Sequence, residues 1–331
     1  MSQFARILSA MVGLVALILV AVVATSWTPD RPVSELTARW AQPPSTFIDV
    51  AGLRAHVRDE GPRDDPAPLV LLHGTSDSLH TWGGWTEVLS RERRVIRVDL
   101  PGFGLTGPAP DGDYRVERYV EFVSELLDAL GVRRFVVVGN SFGGWVAWET
   151  ALARPDRVAA LVLVDSAGYP LESQSVPIGF RVARVPGLNR LMRSILPRGV
   201  VDSSVRNTYG DPSRVTEELV DRYYELTLRE GNRAALAQRF AAGRWAEDPG
   251  RIRQLRLPTL VLWGERDRLI PLHYGEQFHR DIAGSELVVL PELGHVPQEE
   301  DPRATVAAVR GFLSRPAPDP ADATSNPEPA T

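Results

Sequence analysis

The 331-residue chain contains no cysteine. Without a thiol there is no disulfide, no thiolate metal ligand and no cysteine nucleophile. Lysine is missing as well: all 37 residues counted as lysine or arginine are arginine, so Schiff-base chemistry and a lysine general base are excluded. Positive charge is not in excess, since the formal net charge is −5, and no nucleic-acid partner is expected. His56, His73, His80, His273, His279 and His295 show no metal-ligand spacing, so neither a metal nor a cofactor is expected. Long apolar runs are scarce too, with one exception near the N-terminus.

That exception, Ile7 to Ala24, is uncharged and almost wholly apolar, and it nears the ~20 residues needed to span a bilayer. It predicts a transmembrane anchor over residues 1–28, with Trp27 at the interface. The alternative is a signal peptide cleaved after Val22-Val23-Ala24 and a secreted product. With Arg6 held on the cytoplasmic side, an anchored chain would be membrane-bound with its catalytic domain in the periplasm or outside the cell. At the other end, residues 316–331 are rich in proline and small polar residues and are expected to be a disordered tail.

Between these ends, 44% hydrophobic content is enough for a sizeable core. Residues 29–44 read as a linker with a short helix at Ser34 to Trp40. Short strand-like runs follow at Thr46 to Val50, Leu53 to Arg58, Leu69 to Leu72 and Val95 to Val98. From Tyr114 onward strands and helices alternate, the pattern of a mostly parallel sheet covered on both faces. The alternation stops at Ala167 and resumes at Leu260, so residues 45–166 and 257–315 read as two parts of one core, and 167–256 as an inserted helical lid.

Gly139-Asn140-Ser141-Phe142-Gly143-Gly144 directly follows the strand-like run Phe135 to Val138 and precedes a helix-length segment. A serine bracketed by glycines at a strand-to-helix turn can be held strained and exposed, as a nucleophile requires. Serine needs a base, and His295 is the candidate: it follows the strand at Leu287 to Leu290, and such loops gather at the carboxyl edge of a parallel sheet. Asp267, after the strand Leu260 to Trp263, supplies a carboxylate to orient that base, with Glu265 and Asp165 as competing acids. The backbone N–H of Phe142, next after the serine, is one oxyanion donor.

The order Ser141, Asp267, His295 resembles that of the α/β-hydrolase superfamily. So do Leu71-Leu72-His73-Gly74-Thr75, Asp99-Leu100-Pro101-Gly102-Phe103-Gly104, Trp263-Gly264-Glu265-Arg266-Asp267 and Leu293-Gly294-His295-Val296-Pro297, over residues 46 to 314. The resemblance implies the α/β-hydrolase fold and makes the N–H of Thr75 the second oxyanion donor. It also implies that His73 and Asp99 support loops and do not react.

A serine nucleophile sets the chain apart from superfamily members that attack with aspartate and favours acyl chemistry on an apolar ester or related small molecule. The alternative is a C–C bond hydrolase of the meta-cleavage type, which the Asn140-Ser141-Phe142 elbow also resembles. Those enzymes usually carry His-Gly-Ser-Gly-Pro where this chain has His73-Gly74-Thr75-Ser76-Asp77. A non-catalytic binding module would have to keep the whole triad unused.

Overall fold

Eight strands pair into one sheet of order β1-β2-β4-β3-β5-β6-β7-β8. The strands are β1 (Thr46–Val50), β2 (Leu53–Glu60), β3 (Leu69–Leu72), β4 (Val95–Val98), β5 (Phe135–Asn140), β6 (Val158–Val164), β7 (Thr259–Gly264) and β8 (Glu286–Leu290). The computed structural model describes residues 3, 4, 7, 9–14, 17, 26–185, 187, 193–242 and 248–315. β1 and β2 form an antiparallel hairpin, β2 runs antiparallel to β4, and every pairing from β4 to β8 is parallel. The expected mostly parallel sheet is therefore present.

The central strands are valine- and leucine-rich without polar alternation because both of their faces are covered. Val70, Leu72, Val137, Leu161, Leu163 and Val261 belong to one apolar cluster. Their neighbours Leu69, Leu71, Val136, Val138, Val162 and Leu260 belong to another, the period-two partition that a pleated strand imposes. Helices Val116–Ala129, Phe142–Ala153 and His273–Asp281 supply the first cluster. Gly83–Leu89 and Pro302–Leu313 supply the second.

Between β6 and β7 lie the helices Ile178–Ala183, Arg198–Thr208, Glu217–Thr227 and Asn232–Ala242. This segment has its own apolar cluster, including Val201, Val205, Tyr209 and Val220, which reaches the rest of the molecule through Val296. Residues 29–44 carry the helix Val33–Trp40, whose buried Leu36 and Trp40 pack with Leu105 and Leu226. Asp30 Oδ1 accepts from Arg233 (2.6 Å), and Trp40 Nε1 donates to Glu225 (2.7 Å).

The expected N-terminal membrane helix is corrected. Crossing a bilayer takes about 20 continuous helical residues, and no helix among the described residues is long and apolar enough to do so. Residues 8, 15, 16 and 18–24 of the apolar run lie outside the described residues. The membrane-anchored placement, with a periplasmic or extracellular domain, rested on that helix and is withdrawn with it. The expected tail, 316–331, also lies outside the described residues.

Candidate active site

β5 ends at Asn140 and the next helix starts at Phe142, so the turn between them is a single residue, Ser141. Its backbone sits at φ 55° and ψ −116°, a region that costs a non-glycine residue about 1–3 kcal/mol and persists only where the surroundings enforce it. Two glycines make the turn possible. A Cβ on Gly139 would lie 2.1 Å from the carbonyl oxygen of Gly143, and one on Gly143 would lie 2.3 Å from that of Leu72.

His295 lies in the loop after β8. Its N–H donates to Thr208 O (2.7 Å), and its carbonyl accepts from Asn140 Nδ2 (2.9 Å), so both sides of its peptide frame are fixed. Its Nδ1 lies 2.7 Å from Asp267 Oδ2. The other oxygen of Asp267 accepts from the backbone N–H groups of Leu269 (2.8 Å) and Ile270 (3.0 Å), which fixes the carboxylate against the ring. With Nδ1 engaged, Nε2 is the nitrogen left to exchange a proton.

Ser141 and His295 line one cavity with Gly74, Thr75, Ser76, Asp77 and Asn140, while the facing wall comes from Pro177, Phe180, Leu196, Val201, Val205 and Tyr223 of the β6–β7 segment. The structure thus brings Ser141, His295 and Thr75 to one space and stations Asp267 behind His295. The Phe142 side chain turns into the core, its ring edge-on to Tyr119 at 4.8 Å, and its N–H sits in the first turn of its helix, where the dipole favours negative charge. Thr75 Oγ1 accepts from Arg239 Nη2 (2.9 Å). Ser76 has φ 61°, so a serine holds the left-handed conformation at a position where the meta-cleavage pattern has glycine.

Of the competing acids, Glu265 is exposed, whereas Asp165 is buried beside Asp267. Asp165, Asp267 and His295 each bring a potential ligand atom within 4.8 Å of the others, the one such group found among the described residues. His73 and Asp99 serve loops. His73 Nδ1 lies 2.7 Å from Gly74 O, its Nε2 accepts from Leu100 N (2.9 Å), and burial lowers its pKa. Asp99 accepts from Leu79 N and Leu105 N and lies 2.7 Å from His56 Nδ1. Burial would raise its pKa, but His56 overrides this and holds it low.

Two contributors were not visible in the sequence. Asn140 was part of the elbow motif but had no role there; its amide bridges Val164 O (3.1 Å) and His295 O (2.9 Å). Glu300 carried no signal at all, yet its buried carboxylate accepts from Gly294 N, Gly210 N and Asp211 N at 2.9–3.0 Å.

Residues 67–302 match the family described as alpha/beta hydrolase fold. The chain belongs to the α/β-hydrolase fold family. Among its α/β-hydrolase relatives is 2-hydroxy-6-oxo-2,4-heptadienoate hydrolase from Pseudomonas putida, 34% identical over 280 residues that cover 81% of this chain and 95% of the relative. A meta-cleavage product hydrolase from Pseudomonas fluorescens IP01 superposes with a TM-score of 0.70 at 26% identity, covering 81% of this chain and 97% of that one. An esterase from Thermogutta terrifontis gives a TM-score of 0.68 at 27% identity, with 81% and 97% covered. The protein is accordingly an α/β-hydrolase-fold hydrolase.

Proposed function

We propose that the protein is a serine hydrolase that cleaves a carbon–carbon bond next to a carbonyl in a small diketo acid of the meta-cleavage type. Ser141 attacks the carbonyl, and His295, oriented by Asp267, removes the serine proton. The backbone N–H groups of Phe142 and Thr75 receive the oxyanion. The carbon leaving group departs as an enolate and is protonated, and water then releases the acyl group from Ser141. The helical segment 167–256 acts as the lid that shapes the cavity. The observation that carries this reading is the 34% identity to a hydrolase named for 2-hydroxy-6-oxo-2,4-heptadienoate, extending over 95% of that relative.

Hydrolysis of an uncharged ester is the second reading, and the cavity wall favours it. The ionisable side chains among the described lining residues are Asp77, Tyr223 and His295, with no arginine to receive a substrate carboxylate. The two readings separate in one experiment: turnover of a vinylogous diketo acid measured beside a panel of p-nitrophenyl esters. A preference in kcat/KM for the diketo acid is expected, and a preference for the esters moves the assignment to esterase. Labelling by a fluorophosphonate probe, abolished by Ser141→Ala, is expected under both; unlabelled, well-folded wild-type protein would remove the serine mechanism.

A further inference from the structure

Asp165 is the buried acid that this mechanism leaves idle. It follows β6 at φ 43° and is fully enclosed, at 0% exposure. Its Oδ1 accepts from Gly264 N (3.0 Å), and its Oδ2 has no hydrogen-bond partner of ordinary geometry. The carboxyl faces the Asp267–His295 pair, the three groups lying within 4.8 Å of one another.

Two carboxylates this close, out of water, do not both keep a charge. Which of them is ionised follows from the donors around each. Asp267 receives two backbone N–H groups and the His295 ring; Asp165 receives one N–H. The proton therefore rests on Asp165, and burial together with the Asp267 charge raises its pKa well above the usual range, with Glu300 adding to the effect. A neutral acid is a hydrogen-bond donor, and the acceptor it meets is the Asp267 carboxylate.

We propose that Asp165 is a positioning residue that acts through Asp267: its carboxylic O–H braces the Asp267 carboxylate, and it becomes the orienting acid for His295 when Asp267 loses its charge. This rests on the Ser141–His295–Asp267 reading. No bond is made or broken in the bracing; in the Asp267→Asn protein, Asp165 gives its proton to solvent and the resulting carboxylate faces the imidazole.

Asparagine suits the test, because it is nearly isosteric with the neutral acid and tolerates positive φ. Asp165→Asn, Asp267→Asn and the double variant are compared by kcat, KM and the pH profile of kcat/KM on whichever substrate the wild type turns over, with thermal unfolding as a check on folding. Loss of an orienting acid typically lowers kcat about 10⁴-fold. Asp267→Asn is expected to lose only about 10²-fold, the double variant to fall the full ~10⁴-fold, and Asp165→Asn alone to lower kcat less than tenfold with KM unchanged. In Asp267→Asn, the residual activity should gain an acid limb from Asp165 ionising, and this limb should vanish in the double variant. Equal activity of Asp267→Asn and the double variant would overturn the proposal, and so would an inactive, folded Asp165→Asn beside a fully active Asp267→Asn. Failure of the underlying serine reading shows separately, as undiminished turnover by Ser141→Ala.

Discussion

Glu300 Oε2 accepts a hydrogen bond from the backbone N–H of Gly294, the residue before His295, at 2.9 Å. The same carboxylate takes the N–H groups of Gly210 and Asp211 from the β6–β7 segment, so one side chain joins the histidine loop to the wall of the cavity. Gly294 and Gly210 meet backbone to backbone there: a Cβ on Gly294 would lie 2.3 Å from Gly210 N. Glu300→Ala leaves three donors without their acceptor, at about 1–3 kcal/mol for each that stays buried. We expect a Tm lower by about 6 °C or more and kcat reduced about tenfold or more, with Glu300→Gln intermediate in both; calorimetry and steady-state kinetics check this.

Asn140→Ala should lower kcat about tenfold and Tm by a few degrees, because the amide holds the His295 carbonyl and the strand-end carbonyl of Val164 together and its loss leaves a buried acceptor without its donor, at about 1–3 kcal/mol. Asn140→Asp should be worse than Asn140→Ala, since a carboxylate cannot donate and would repel both carbonyl oxygens. An Asp variant more active than the Ala variant would show that the amide bridge does not matter.

Gly143→Ala is expected to prevent folding or to cost several kcal/mol, because its Cβ would lie 2.3 Å from Leu72 O and 2.6 Å from His73 O. Gly199→Ala is the control. It sits in the helix Arg198–Thr208 with nothing within 4 Å of an added Cβ, so it should be neutral or stabilising by about 0.5–1 kcal/mol. Urea unfolding of the two variants measures the contrast.

Asp77 gives a stability that depends on pH. Burial and the neighbouring Glu299 charge push its carboxyl up to about 7 from the usual 3.8, against the pull of Arg222. The folded protein therefore holds a proton that the unfolded chain releases, and the contribution present below pH ~4 is lost as pH rises through about 7. Asp77→Asn cannot titrate. It should match the wild type in Tm near pH 4 and exceed it near pH 8; parallel melting curves at both pH values test the sign.

The strands and the elbow could be read from the sequence because their signals are local: unbroken valine and leucine runs, and glycines bracketing Ser141. The pairing of Asp267 with His295 was also foreseeable, since both follow strands that end at one edge of the sheet. What was hidden depends on contacts distant in sequence. The Asn140 amide reaches a carbonyl 155 positions away, and Trp40 meets Glu225 across 185, inside a stretch whose proline-rich composition suggests a linker. Asp165 looked like a rival to Asp267; only the fold shows the two side by side with unequal numbers of donors. The apolar run near the N-terminus has the composition of an anchor, but composition alone does not require a continuous helix of spanning length.

Ser141 is only 6% exposed and His295 4%. A nucleophile and base this enclosed sort reagents by girth before they sort them by reactivity. Slim phosphonates should inactivate the protein faster than bulky ones of equal electrophilicity, and an acyl group carried on a macromolecule should not be attacked unless a helix of the facing wall moves aside.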